Sequence, residues 1–130
     1  ILSVKLKYID EWNITRNKNA LTYNRLLSGI DQIRTPKIRE NSFHIFHLYV
    51  IRSEKRDELA DFLKSKGVET GIHYPTALPF MPAYSYLGHK PSDFPVAYQV
   101  QSEILSLPMF PELTDEQISC VASSIKEFFQ

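Results

Sequence analysis

Between residues 2 and 27 the side chains Leu2, Leu6, Ile9, Asn13, Arg16, Ala20, Tyr23 and Leu27 recur at alternating intervals of four and three. Only an α-helix gathers positions so spaced into one stripe, which predicts helix from residue 2 to residue 28. At roughly 1.5 Å per residue that helix is about 40 Å long, longer than a domain of this size needs to cover its own core. Part of the stripe is therefore expected to face a partner outside the chain. The helix is in phase at residue 1 with no cap or turn before it, which reads as a sequence cut from something longer. Gly29 stands just past its end, in the position that favours left-handed backbone.

Beyond the helix, Ile33 to Ile38 is expected as an edge strand, because Pro36 cannot donate to a ladder. Phe43 to Ile51 predicts a strand covered on both faces. Ser53 is placed to cap a helix over 54–66, with Leu59, Phe62 and Leu63 inward and Gly67 as the stop. Val68, Thr70 and Ile72 alternate with Glu69 and Gly71 as in a strand. Asp93 is expected to cap a helix over 95–104, and residues 105–109 to be extended. Thr114 and Gln117 form a capping box opening a last helix with Ile118, Val121, Ala122, Ile125 and Phe129 on one side. The connections are too mixed for a doubly wound parallel sheet. The expectation is an α+β domain spanning 1–130, with a small, mostly antiparallel sheet packed by helices.

Fifteen basic residues balance fifteen acidic ones, and neither sign forms a long run. No footprint for a nucleic-acid or membrane-surface partner follows from such a balance. No segment approaches the roughly 18 apolar residues of a membrane span, and the expected location is the cytoplasm. The single Cys120 is expected to pack beside Ile118, Val121 and Ala122. His44 and His47, three apart on a strand, would point to opposite faces. His73 and His89 lack a Cys or paired carboxylate at ligand spacing, so no metal is expected. Nor is there a glycine-rich phosphate loop or a nucleophile elbow. The charges of residues 54–58 read as a solvated helix face, and Arg16 as a side chain reaching out of the stripe.

The loop beginning Gly71-Ile72-His73-Tyr74-Pro75 is the candidate site. It holds an imidazole and a phenol in proline-restrained backbone and runs to Phe94, a length that marks functional loops in compact domains. A crossover in which Tyr74 packs and His73 is solvated is the alternative.

The segments Leu-Lys-Tyr-Ile-Asp-Glu-Trp-Asn (6–13), Gly-Ile-His-Tyr-Pro (71–75), Pro-Ala-Tyr-Ser-Tyr-Leu-Gly (82–88), Asp-Phe-Pro-Val-Ala (93–97) and Ile-Leu-Ser-Leu-Pro-Met-Phe-Pro-Glu-Leu-Thr (104–114) resemble the C-terminal third of the DegT/DnrJ/EryC1/StrS sugar aminotransferases. The resemblance covers essentially the whole chain, in order. It implies the small C-terminal domain of a fold-type-I pyridoxal-phosphate enzyme, with residues 1–28 as the helix joining it to a large domain. Such enzymes are homodimers that move an amino group, usually from glutamate, to a nucleotide-linked keto sugar. The lysine that bonds the cofactor and the groups that hold its phosphate belong to the large domain, so no catalytic or cofactor-binding residue carries over and the segment alone should be inactive. His73 and Tyr74 carry over as substrate contacts at the pocket mouth. Many members have a second histidine shortly after this motif; Pro79, Phe80 and Met81 stand there instead, which puts that contact and the choice of substrate in question. A free-standing regulatory or ligand-binding module is the other reading.

Overall fold

The computed structural model describes residues 1–130. Its regular elements are α1 (Leu2–Lys5), α2 (Ile9–Leu27), β1 (Tyr49–Arg52), α3 (Arg56–Ser65), α4 (Pro95–Val100), β2 (Ile104–Leu107) and α5 (Asp115–Phe129). Short 3-10 turns occupy Leu6–Tyr8, Leu78–Phe80, Pro82–Leu87 and Pro91–Asp93. β1 and β2 pair antiparallel, with Tyr49 opposite Leu107, Val50 opposite Ser106, Ile51 opposite Leu105 and Arg52 opposite Ile104. Two single antiparallel bridges widen the ribbon, Arg34 to Arg52 on one side and Gly71 to Ser106 on the other. α5 packs against α2 and α3, and α3 lies on β2. The α+β architecture with an antiparallel sheet is the one the sequence predicts.

Alternation along a strand sends successive side chains to opposite faces, and that assigns the two sides of this ribbon. Tyr49, Ile51, Leu105 and Leu107 enter a core with Leu59, Leu63, Ile118, Val121 and Ile125. Val50, Arg52, Ile104 and Ser106 point the other way, Ile104 and Ser106 meeting the long loop. Burying each core Leu or Ile contributes about 1.5–3 kcal/mol, so this face anchors the fold. Tyr23 and Tyr49 stack at 4.8 Å in the same core. Their hydroxyls donate to the Pro108 carbonyl at 3.1 Å and to Asn24 Oδ1 at 2.7 Å. Burial pushes both phenols well above their ordinary range, so they are packing groups and not acids.

The first helix is in place but divided by a 3-10 turn. Its stripe is buried only at Ala20, Tyr23 and Leu27, while Leu2 and Leu6 are 81% and 69% exposed. Asn13 and Arg16 in that stripe are polar tethers. Arg16 hydrogen-bonds Asn13 and donates to the Ile45 carbonyl at 3.3 Å, and neighbouring Asn17 donates to the His44 carbonyl at 2.9 Å.

Other expectations are corrected. Residues 43–48 are not strand: Phe46 turns to φ 47°, its N–H donating to His44 Nδ1 at 2.9 Å, and only residues 49–52 pair. Val68–Ile72 and Ile33–Ile38 each meet the sheet at one residue, since a strand needs a partner along its length as well as a pattern. Asp93 accepts from Lys90 N–H at 2.8 Å and so closes the preceding turn, not α4, which ends at Val100. Cys120 is exposed. The capping box forms as expected, Thr114 N–H donating to Gln117 Oε1 at 3.0 Å and Gln117 N–H to Thr114 Oγ1 at 3.3 Å.

Candidate functional site

The site is built on the non-core face of β2. Gly71 and Ser106 exchange both backbone hydrogen bonds, at 3.0 and 2.7 Å, which pins the start of the loop to the strand. From there the chain folds back, and the His73 imidazole comes over Gly71 to place Nδ1 2.9 Å from Ser106 Oγ. Gly71 is required for this: a Cβ there would stand 2.7 Å from His73 Cε1. Ser106 is 5% exposed, while His73 lies open to solvent with Tyr74 edge-on beside it at 6.0 Å. His73, Ser106, Gly71, Glu69, Thr70 and His47 are among the residues lining a shallow cavity of about 250 Å³. The structure thus brings His73 and Tyr74 together at the surface, and does not bury Tyr74, which is 77% exposed.

Past Tyr74 the loop bounds a second, apolar groove of about 580 Å³, lined among others by Tyr74, Pro75, Leu78, Met81, Val100 and Ile104. Ala77 N–H donates to Gln101 Oε1 at 2.8 Å, tying the loop to the end of α4. Phe80 turns its ring edge-on to Tyr98 at 5.3 Å and to Phe94 at 6.5 Å, an aromatic buttress between the loop and α4. His89 sits against the same Phe94 at 5.0 Å. Phe80, His89, Phe94 and Tyr98 thus pack on one another across the long loop.

Two residues beneath the loop were not legible as functional supports. Arg56, in a run read as a solvated face, is buried, and its guanidinium donates to the carbonyls of Gln101 at 3.4 Å and Ile104 at 3.3 Å. Its Nε pairs with the Asp57 carboxylate at 2.6 Å, an ion pair without hydrogen-bond geometry. Glu103, 7% exposed, accepts from Arg52 Nε and Nη2 at 2.9 and 2.7 Å and from Gln99 at 2.7 Å. Burial opposes ionisation of Glu103, yet these hydrogen bonds and the charges of Arg52 and Arg34 outweigh it and hold its pKa below the usual carboxylate value. Both groups fasten the junction of α4 and β2, the base on which Ser106 stands.

No lysine lines the His73 cavity or the apolar groove. An amine able to bond a carbonyl cofactor is therefore absent from both; the imidazole and hydroxyls of the first suit hydrogen bonding to a polar ligand, and the lining of the second suits apolar contact.

A family model described as the DegT/DnrJ/EryC1/StrS aminotransferase family matches residues 1–126. A "Pleiotropic regulatory protein" of Geobacillus stearothermophilus is 46% identical over 132 residues, covering 100% of this chain and 36% of the relative. A "dTDP-3-amino-3,4,6-trideoxy-alpha-D-glucose transaminase" of Streptomyces venezuelae is 31% identical, covering 98% of this chain and 34% of the relative. The crystal structure of S. venezuelae DesV in complex with a ketimine intermediate superposes with a TM-score of 0.93 at 30% identity, over 99% of this chain and 35% of the solved one. The chain spans about a third of the length of the relatives it matches.

Proposed function

The chain belongs to the DegT/DnrJ/EryC1/StrS aminotransferase family, and from that premise we propose that it forms the substrate-facing edge of a pyridoxal-phosphate-dependent sugar aminotransferase. The whole enzyme transfers an amino group from glutamate to a keto sugar carried on a nucleotide, in cell-surface polysaccharide or secondary-metabolite biosynthesis. It works as a cytoplasmic homodimer in which residues 1–130 are the small domain and residues 1–28 the helix joining it to a large one. Pyridoxal phosphate, when bound, supplies the electron sink for amino transfer. In this reading its anchoring lysine belongs to the large domain, and the cavities beside His73 and Tyr74 serve the substrate.

The reading is carried by one observation: an exposed imidazole fastened from below by a buried hydroxyl, with an exposed phenol beside it. His73 is placed to donate to a phosphoryl oxygen of the nucleotide, and Tyr74 to cover or hydrogen-bond the sugar. Both hold the ligand; neither takes part in bond making. His73→Ala in the full-length enzyme should raise KM for the nucleotide sugar about tenfold, the equivalent of about 1.4 kcal/mol, and leave the visible absorbance of the bound cofactor unchanged. An unchanged KM would return His73 to a structural role.

The regulatory name borne by the G. stearothermophilus relative favours a second reading, a non-catalytic ligand-binding module. Nucleotide-sugar binding without amino transfer by the full-length protein would select it.

A further inference from the structure

We propose that Ser106 is a positioning residue that holds His73 as the tautomer with its proton on Nε2, so that the outward nitrogen is a hydrogen-bond donor to the substrate. The inference deepens the reading of His73 as a substrate contact and, for its kinetic consequence, rests on it.

Ser106 Oγ has one hydrogen-bond partner in the structure, His73 Nδ1 at 2.9 Å. A serine hydroxyl carries one proton, and a buried proton needs an acceptor. If neutral His73 donated from Nδ1, the Ser106 hydroxyl, 5% exposed, would turn its proton away from the ring and find no acceptor of the protein within hydrogen-bond distance. If Ser106 donates, both groups are satisfied and the ring proton must lie on Nε2. The ring is also fixed in direction. Gly71 and Ser106 are joined by two backbone hydrogen bonds, and the imidazole lies against the bare Cα of Gly71. Ser106 Oγ thus fixes which nitrogen faces inward, and the missing Cβ of Gly71 lets the ring reach it. Substrate meets a donor already oriented, and a ring that need not flip or exchange its proton binds more tightly by the fraction of time it would otherwise be misplaced.

The test uses the full-length protein. Nitrogen NMR of the His73 ring reads the tautomer directly: the expected pattern is Nε2–H in the native protein and a mixture in Ser106→Ala. A native ring carrying its proton on Nδ1, or an Ser106→Ala ring unchanged from native, overturns the inference whatever the substrate. Kinetically, Ser106→Ala should raise KM for the nucleotide sugar about three- to tenfold with kcat nearly intact, and Ser106→Thr, which keeps the hydroxyl, should restore most of it. In a His73→Ala background, Ser106→Ala should add nothing. If His73→Ala raises KM and Ser106→Ala does not, positioning by Ser106 is wrong while the substrate contact stands. If His73→Ala itself leaves KM unchanged, the contact reading fails and the kinetic half of the inference fails with it.

Discussion

Gly71→Ala is the sharpest test at the scale of single residues. The new methyl would meet His73 Cε1 at 2.7 Å, so the imidazole must leave Ser106. The expected result is a KM increase matching that of Ser106→Ala, with the melting temperature little changed because the two backbone hydrogen bonds to Ser106 survive. Glu103 gives a pH prediction. Its folded pKa is depressed, so the stability it contributes is present above its unfolded value near 4.5 and is lost as pH falls through the folded one. Glu103→Gln should lower stability at neutral pH by about 1–3 kcal/mol and flatten the acid limb of the urea midpoint plotted against pH. His73 and Tyr74 were readable from sequence because an imidazole and a phenol between glycine and prolines stand out locally. The contact of Ser106 with His73 was not, since Ser106 sits within an apolar run and meets the loop through a pairing 35 residues away in sequence. Arg56 was hidden for the opposite reason, among charges that do face water.

Elements were legible where the signal lay within the element. The Thr114–Gln117 box and the stripe of α5 needed nothing from elsewhere, and both form. Thr114→Ala should lower the stability of the chain by about 1 kcal/mol, read as a shift in the urea midpoint. Strands were harder because their signal lies in the partner. Residues 43–48 and 68–72 have strand composition, yet His44 captures the Phe46 amide in the first and only Gly71 finds the sheet in the second. The first helix behaves as two parts. Residues 1–10 are all exposed, whereas Asn19, Ala20, Tyr23 and Leu27 enter the core. Removing residues 1–8 should therefore leave thermal unfolding of the chain within about 0.5 kcal/mol of the original, whereas Tyr23→Ala, which empties the stacked pair, should cost about 3–5 kcal/mol.

Across the whole molecule, one face of the ribbon is closed by helices and the other carries a loop with an exposed imidazole, an exposed phenol and an apolar groove. Ile1, Leu2, Val4 and Leu6 add an apolar end that nothing in the chain covers. That distribution suits a piece which completes a larger catalytic body, the reading on which the proposed function depends. Amino transfer from glutamate to a nucleotide-linked keto sugar, measured with the 130-residue chain alone and with the full-length protein, each supplied with pyridoxal phosphate, tests it most directly. The account predicts turnover by the full-length protein and none by the isolated chain; turnover by the isolated chain would contradict it.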